Sequence, residues 1–298
     1  MLNSRILLQE AGIFPKKKFG QNFLVVESIG RTIAEVSILE EERGKAHVIE
    51  WGAGVGALTS FLLERAQRVS AVERDRDLIP ILHSVFEEPL RANQLSIHEA
   101  DAQTLDIASL FAVSSPSSPH ILVGNLPYFI TGSLLRRATE QVEHLSRAVF
   151  MLQSEVADRL LATPGAKSYG ALTVFVHNAF AIHRIQNIPP SCFFPSPNVR
   201  STLVHLLPRR PRITEETSLF QWLVHKAFEK RRKTLRNAWA GWIEPQILVQ
   251  SAETCGISLN SRGETLSVQD FARMTLALQA AQRRHPPPSD RIPEDRNL

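Results

Sequence analysis

Four short apolar runs in the first half of the chain constrain its fold more than any other sequence feature. They span residues 46–49, 69–72, 95–98 and 120–124, and each is followed by glycine or a polar side chain. Runs of this length are typical of buried strands. Because buried strands joined by helical segments form open parallel sheets, we predict an α/β fold with the four strand ends along one edge.

The last run ends in Asn125-Leu126-Pro127-Tyr128, an unusual set of groups for the tip of a strand. The side-chain carbonyl of Asn125 and the backbone carbonyl of Leu126 can both accept hydrogen bonds from one amino group. Pro127 fixes φ and donates no hydrogen bond, while Tyr128 offers a flat face to a planar base. The tetrapeptide is therefore typical of a holder for a nucleobase amine, although a strand-to-helix turn with a packed tyrosine has the same composition.

A glycine-rich turn follows the first run. Glu50-Trp51-Gly52-Ala53-Gly54-Val55-Gly56 connects the strand to an apolar helix around Phe61. Glycine lets the backbone approach a ligand closely, with a helix N-terminus behind it. The spacing is Gly-x-Gly-x-Gly rather than the Gly-x-Gly-x-x-Gly of dinucleotide sites, which argues against a nicotinamide or flavin cofactor.

Carboxylates follow the second and third runs. Glu73 lies 21 positions after Gly52, where an acid suits the two hydroxyls of a ribose, and Asp101 is placed to accept from an adenine amine. Each also has an ordinary interpretation, Glu73 as a solvated acid and Asp101 as a turn residue. Because all four signals follow successive strands, we predict an adenosine-containing cofactor on the first three strands and a substrate amine beside the fourth.

With these motifs the chain resembles the KsgA/RsmA family of ribosomal RNA adenine dimethyltransferases from residue 16 to residue 280, nearly its whole length. The resemblance implies a Rossmann-like S-adenosylmethionine-dependent methyltransferase domain followed by a small all-α C-terminal domain. It also implies that Lys18-Phe19-Gly20-Gln21-Asn22-Phe23-Leu24 caps the cofactor, with Gln21, Asn22 and Leu24 closing over it.

The resemblance assigns roles residue by residue. The residues implied to bind the cofactor are Gly52, Gly54, Glu73, Asp101, Ala102 and Asn125, together with the capping residues. The implied catalytic residues are Asn125, Leu126, Pro127, Tyr128 and Phe193. Phe193 belongs to a Phe-x-Pro-x-Pro segment and is expected to stack on the base opposite Tyr128, with a buried loop anchor as the alternative. The family pattern continues through Tyr169-Gly170, residues 231–237 and Arg262-Gly263-Glu264.

The chain departs from the family pattern at four positions. Trp51 replaces a smaller aliphatic residue and is expected to crowd the cofactor loop, and Phe129 stands where a polar residue, often asparagine, is usual. Asn198 and Arg200 replace lysine and aspartate. The last two changes concern how the target loop meets RNA rather than the reaction.

Positive charge is concentrated in one segment. Residues 208–240 contain nine Lys or Arg and three Glu, a net +6, whereas the whole chain carries +4. A localised basic stripe is an electrostatic footprint for phosphate, although a solvated helix face is the usual alternative. We predict RNA contacts by Lys16, Lys17, Lys18, Lys230, Arg231, Arg232, Lys233 and Arg236. The implied partner is small-subunit ribosomal RNA or the immature small subunit.

Composition predicts a two-domain protein of a reducing compartment, the cytoplasm. A chain of 298 residues with 43% hydrophobic content can bury a large core, and two cysteines do not form a disulfide framework. The prolines at 208 and 211 predict domains 1–207 and 208–284, with a disordered tail from 285 to 298. We expect no metal, no membrane-spanning segment and a monomer. The predicted core positions of the second domain are Leu219, Trp222, Leu223, Phe228, Leu235, Trp239 and Trp242.

Four alternatives stay open at this point. They are a related methyltransferase of large-subunit RNA, a DNA adenine methyltransferase, a non-catalytic RNA-binding assembly or transcription factor, and a nicotinamide oxidoreductase. Residues 231–237 and 262–264 argue against the first, and no sequence-reading domain supports the second. A non-catalytic factor would be expected to have lost its cofactor and tetrapeptide residues, yet these residues are intact.

Overall fold

The structure is a computed structural model that describes residues 3–16 and 19–284, the last three by their backbone alone. Its strands are β1 (Phe23–Leu24), β2 (His47–Trp51), β3 (Arg68–Glu73), β4 (Leu95–Glu99), β5 (His120–Asn125), β6 (Arg147–Gln153), β7 (Phe180–Ile188), β8 (Phe193–Phe194) and β9 (Ser201–Pro208). Within the described ranges, no helix is long and apolar enough to cross a bilayer.

The helices alternate with the strands through the first half and then follow one another. They are α1 (Ser4–Glu10), α2 (Glu27–Ser37), α3 (Thr59–Leu63), α4 (Ile79–Val85), α5 (Glu87–Arg91), α6 (Ile107–Phe111), α7 (Thr131–Glu140), α8 (Ser154–Leu160), α9 (Ala171–Ala179), α10 (Ser218–Glu229), α11 (Leu235–Trp239), α12 (Pro245–Cys255) and α13 (Val268–Arg284).

Seven strands form one sheet in the order β4-β3-β2-β5-β6-β9-β7. The first five are parallel neighbours, while β9 runs antiparallel to both β6 and β7. The chain moves outward from β2 to β4 and then returns to the other side of β2 with β5, which creates a topological switch point. The α/β class and the four predicted strands are confirmed as β2 to β5. The antiparallel strand was not predicted.

The first compact unit comprises the described residues of Met1–Leu161 and Ala179–Arg210. Its sheet strands are apolar because helices cover them: Val48, Ile49, Val69 and Ile121 are fully buried. A separate antiparallel pair, β1 with β8, joins Leu24 to Phe193 in register. The capping segment is therefore tied by its backbone to the Phe-x-Pro-x-Pro segment.

The second unit is helical and comprises Ala162–Asn178 with the described residues of Pro211–Leu298. Residues 162–178, which the predicted boundary assigns to the first domain, lie here because Val174 and Phe175 enter the same apolar core as Phe220. Trp242 is 60% exposed, so its predicted core position is wrong. The predicted tail from 285 to 298 lies outside the described residues.

Helix α13 begins at a complete capping box. The backbone N–H of Asp270 donates to Ser267 Oγ at 3.1 Å, and the backbone N–H of Ser267 donates to Asp270 Oδ2 at 2.8 Å. Two N-terminal donors are thereby satisfied reciprocally. The helix start that the Ser-x-x-Asp pattern predicts is confirmed.

The Trp51 ring packs on an aromatic side chain of the central sheet. In the sheet register it lies beside Gly124, which in turn lies beside Phe150. The Trp51 and Phe150 rings stack across the glycine with centroids 6.0 Å apart. A Cβ on Gly124 would approach the Trp51 carbonyl oxygen to 2.8 Å. The Trp51 ring packs in the core, yet the residue also lines the cavity at the carboxyl ends of β2 to β5, so the expectation that Trp51 crowds the cofactor loop stays a prediction.

Candidate active site

An open cavity lies at the carboxyl ends of β2, β3, β4 and β5, where ligands bind in open parallel sheets. Its lining comes from residues 19–24, 50–55, 73–74, 100–102 and 125–130. Three groups predicted from sequence, namely the capping segment, the glycine turn with its acids, and the tetrapeptide, therefore border the same space.

The glycine turn is a close-approach backbone. Gly52 and Gly54 have φ values of +78° and +60°, a region that side chains disfavour. A Cβ on Gly54 would lie 3.0 Å from the Phe23 ring of the capping segment. A side chain at position 54 would be strained in its backbone and would displace the Phe23 ring, so glycine suits this turn.

Glu73 is a buried carboxylate at the end of β3, with backbone donors on both oxygens. The N–H of Gly54 donates to Oε2 at 2.8 Å, and the N–H of Asp75 donates to Oε1 at 2.7 Å. Burial raises the pKa of Glu73, against the lowering effect of these hydrogen bonds. The backbone N–H of Arg74 also interacts with this carboxylate, and three donors do not use all four of its lone-pair sites, so this acid can still accept from a hydroxyl of a diol.

Glu50 is a second buried acid, which sequence reasoning did not assign to the site. Its Oε2 accepts from Thr59 Oγ1 at 2.6 Å beneath the glycine turn, and burial raises its pKa to about 7. Repulsion from Glu73 contributes to that rise. Because Glu50 titrates near neutrality, Glu73 does not have to share its pocket with a second full negative charge.

Asp101 lines the cavity and also shapes its own turn. Oδ1 accepts from the backbone N–H of Gln103 at 3.0 Å, and Oδ2 lies 3.1 Å from Arg74. Both the ligand and the turn interpretations of this residue therefore have a structural basis. The neighbouring Ala102 also lines the cavity.

The capping segment is anchored by a residue that the sequence did not single out. Asp75 is 3% exposed and accepts from Gln21 Nε2 at 2.8 Å and from Lys16 Nζ. Although burial raises it, hydrogen bonds from Lys16 and Gln21 hold the pKa of Asp75 below its usual range. The Glu-Arg-Asp-Arg-Asp stretch looks solvated in the sequence, and only the approach of Lys16 and Gln21 from afar buries this acid.

Asn125 connects the capping segment to the tetrapeptide. Its Nδ2 donates to the backbone carbonyl of Asn22 at 2.8 Å, which turns Oδ1 away from that contact. The carbonyl of Pro127 accepts from Ile130 N and Thr131 Oγ1. Among the described residues, no hydrogen-bond donor is assigned to the Leu126 carbonyl. Two acceptors, Asn125 Oδ1 and Leu126 O, thus stay available at the end of β5.

The two aromatic residues predicted to stack lie in different environments. Tyr128 lines the cavity half-buried, and its hydroxyl lies 3.1 Å from Ser201 Oγ. Phe193 is 4% exposed in an apolar cluster with Leu24 and Ile33, and it does not line the cavity. The structure therefore does not bring Phe193 opposite Tyr128, because pairing with β1 draws its side chain into the core.

The predicted RNA-binding cations divide into two groups. Lys16 is held by Asp75 and Asp77, and Arg231 contacts the Lys167 carbonyl and Glu264. Lys230, Arg232, Lys233 and Arg236 are exposed, with no ion pair to another residue in the described part of the chain. We call these four residues the basic cluster. Lys17 and Lys18 lie outside the described residues.

Comparison with known proteins places this site in a family. Residues 14–280 match the sequence profile described as Ribosomal RNA adenine dimethylase. The chain is 37% identical to the Ribosomal RNA small subunit methyltransferase A of Anaeromyxobacter sp. (strain K), covering 92% of this chain and 97% of that one. It is 38% identical to the protein of the same name from Aromatoleum aromaticum, over 87% and 92%.

Solved structures share the fold. A dimethyladenosine transferase from Plasmodium falciparum superposes with a TM-score of 0.71 at 22% identity, covering 88% of this chain and 98% of that one. The 23S rRNA methyltransferase ErmE superposes with a TM-score of 0.61 at 23% identity, over 87% and 100%. The chain belongs to the ribosomal RNA adenine dimethylase family, whose members are S-adenosylmethionine-dependent methyltransferases.

Proposed function

We propose that this protein dimethylates N6 of two adjacent adenosines in the 3′-terminal hairpin of small-subunit (16S) ribosomal RNA, during assembly of the small subunit. Family membership and the names of the curated relatives support the reaction and the RNA class. The observation that carries the proposal is the fixed amide of Asn125. Its Nδ2 is bound to Asn22, which leaves Oδ1 and the Leu126 carbonyl to receive one exocyclic amine.

The cofactor-binding roles follow from the groups around the cavity. Glu73 receives the ribose hydroxyls, Asp101 and Ala102 border the adenine, and Gly52 and Gly54 leave room for the methionine end. Gln21, Asn22 and Leu24 close over it from the anchored segment. When bound, S-adenosylmethionine supplies a methyl group on a positively charged sulfur.

The tetrapeptide prepares the substrate nitrogen. The lone pair of an adenine amine is conjugated into the ring, so the nitrogen is a poor nucleophile. When Asn125 Oδ1 and Leu126 O accept its two N–H groups, they favour a pyramidal nitrogen whose lone pair points out of the ring plane. These fixed dipoles need no reorganisation during the reaction. No strong base is needed, because the surplus proton becomes acidic once the nitrogen carries the new methyl group.

Tyr128 holds the ring of the same adenine. Extrusion of a base from its stack costs a few kcal/mol. Stacking on an aromatic side chain returns about 1–3 kcal/mol. Because the Tyr128 hydroxyl is fixed to Ser201, the orientation of its ring is set before substrate arrives. Much of the rate enhancement then comes from positioning.

The basic cluster is proposed to contact RNA phosphates. Replacing its four residues with Gln should reduce the slope of log affinity against log salt by up to about 3, because each neutralised phosphate contributes about 0.7–0.9 to that slope. The matched control is Lys226→Gln, because Lys226 is paired with Glu229 at 2.8 Å. An unchanged slope in the quadruple variant would show that the cluster faces only solvent.

The reaction is tested with labelled S-adenosylmethionine and small subunits purified from cells that lack this activity. Nucleoside mass spectrometry should find N6,N6-dimethyladenosine in the final hairpin. Naked small-subunit RNA, assayed in parallel, separates RNA from pre-assembled subunits as the substrate. Cofactor binding without any methylated base would contradict the proposed enzymatic activity and would support a role as an assembly factor.

The free cysteines, Cys192 and Cys255, agree with a cytoplasmic location.

A further inference from the structure

One aromatic residue at the cavity does not have a role in the mechanism above. Phe129 follows the tetrapeptide directly, lines the cavity and is 59% exposed. It occupies the position where the family pattern has a polar residue. A singly exposed phenylalanine is ordinary on a protein surface, so exposure alone indicates nothing. A role for this residue at the cavity therefore needs a further observation.

That observation is the support behind its ring. Gly20, in the capping segment, has a φ of +59°, and a Cβ built on it would lie 3.1 Å from Phe129 Cδ1 and 3.2 Å from Cε1. The ring therefore rests on the bare backbone of Gly20, with Pro127 nearby. An aromatic ring held in this way loses little side-chain entropy when a planar group stacks on it.

Depth separates Phe129 from the residues that hold the target base. Leu126 is 1% exposed and Tyr128 is half-buried with its hydroxyl fixed, whereas Phe129 is the outermost of the three. A base whose amine reaches the Leu126 carbonyl lies deeper in the cavity than Phe129, which is the more exposed residue. The nucleotide joined to that base then lies at the opening of the cavity.

We infer that Phe129 is a specificity-determining residue whose ring stacks on the nucleotide flanking the target adenine. This inference rests on the proposed function. Because every base has a π-face, the contact selects for an unpaired neighbouring base rather than for one sequence. Purines, with the larger stacking surface, are preferred over pyrimidines. Removal of one such stacking interaction changes affinity by about 5- to 150-fold.

The test uses RNA hairpins that contain the target adenine, with 2-aminopurine or an abasic site at either neighbour. Phe129→Ala should raise KM for RNA by about 5- to 150-fold while S-adenosylmethionine affinity, measured by calorimetry, stays the same. Phe129→Trp should retain the low KM and the quenching of 2-aminopurine fluorescence. Phe14→Ala is the matched control, since Phe14 is 84% exposed and does not line the cavity.

The abasic substrate isolates the stacking interaction. With the stacked neighbour removed, wild type and Phe129→Ala should have the same KM, because residues in contact show non-additive effects. If Phe129→Ala resembles Phe14→Ala on intact RNA, or keeps its defect on the abasic RNA, the inference is overturned. An equal loss of cofactor affinity would also overturn it, since Phe129 would then only support Gly20. Where wild type methylates small subunits but not hairpins, the same substitutions are placed in the RNA of reconstituted subunits. Wild type that is inactive on both would instead contradict the proposed function.

Discussion

The two ends of the central sheet both bury polar groups, but they use them differently. Toward the amino ends of the strands, His47 Nε2 lies 2.8 Å from Ser70 Oγ, which lies 3.1 Å from Ser96 Oγ. His47 Nδ1 contacts Ser114 in addition. These groups satisfy one another across three strands.

At the carboxyl ends the polar groups keep spare capacity. Asn125 donates to Asn22 but retains Oδ1, and the three backbone donors of Glu73 do not use all the lone-pair sites of its carboxylate. An unsatisfied buried acceptor is costly, and the chain tolerates that cost where a ligand can supply the donor. The comparison teaches that burial of polar groups does not mark a site, and that unfilled hydrogen-bonding capacity marks one only where it borders a cavity. Arg68 Nε and His120 Nε2, at the amino end, are buried without a hydrogen-bond partner among the described residues and do not line this cavity. Changes at the carboxyl end should then affect function, and changes at the amino end should affect stability.

The largest effect is expected at Asn125. Asn125→Ala removes one of the two acceptors for the amine and should lower kcat by about 10²–10³, as for other preorganised hydrogen-bond groups. Cofactor affinity should fall far less, because the substitution removes only one hydrogen bond to the capping segment, the one that Asn125 donates to the Asn22 carbonyl. Single-turnover rates and calorimetry measure the two quantities. Equal losses in both would mean that Asn125 acts mainly through the capping segment.

Glu73 should control cofactor binding. Glu73→Gln weakens the charge-assisted hydrogen bonds to a diol, each of which contributes about 1.5–3 kcal/mol, and should raise Kd for S-adenosylmethionine by about 10- to 150-fold. Glu99→Gln is the matched control, because Glu99 is the register partner of Glu73 on β4 with a 44% exposed side chain paired to Arg76. Equal affinities for the two variants would remove Glu73 from the site.

His47 should make the amino end acid-sensitive. Burial lowers its pKa to about 4, from the ordinary 6.5. Because the unfolded state binds a proton that the folded state resists, stability should fall as pH drops from 6.5 to about 4 and then level off, by up to about 2–3 kcal/mol. Urea unfolding of His47→Gln against pH should lack this part of the slope. If the stabilities of variant and wild type depend on pH in the same way, His47 does not make the amino end acid-sensitive.

Glu50, near the carboxyl end of β2, should give a pH dependence of stability opposite to that of His47 at the amino end of the same strand. Its pKa is raised by burial to about 7, so the protonated form suits the folded state. Stability should be highest below pH 4.5 for this group and should decrease as pH rises through 7, by up to about 3 kcal/mol. Glu50→Gln keeps the shape of the side chain without its charge. In this variant the urea midpoint should no longer show this decrease between pH 4.5 and 7. A variant as pH-dependent as wild type would show that Glu50 stays ionised.

The pattern of short apolar runs was sufficient to predict the strands whose ends form the cavity. The runs that became β2 to β5 are short and apolar, and their order alone implies a switch point. The antiparallel β9 and the inclusion of Val174 and Phe175 in the helical core were not predictable, because both depend on which distant surface a segment meets. Propensity and periodicity describe a segment but not its neighbours.

In the candidate site, too, residues set by strand order were predictable and residues set by distant contacts were not. Residues at strand ends, such as Glu73 and Asn125, were identifiable because parallel topology brings those ends together. Asp75 was missed, since its burial depends on Lys16 and Gln21, which approach from more than fifty positions away. Phe193 lies in the core rather than at the cavity because the register of β1 with β8, invisible in the sequence, sets its direction.

The stack of Trp51 on Phe150 across Gly124 has a consequence for how this sequence can change. A methyl group at position 124 would strike the Trp51 backbone, and a smaller residue at position 51 would leave Phe150 without its partner. The backbone of β2 therefore requires glycine at position 124 whatever side chain position 51 carries, whereas Trp51 and Phe150 depend on each other through their rings. A smaller residue at position 51 should then not rescue a substitution of Gly124.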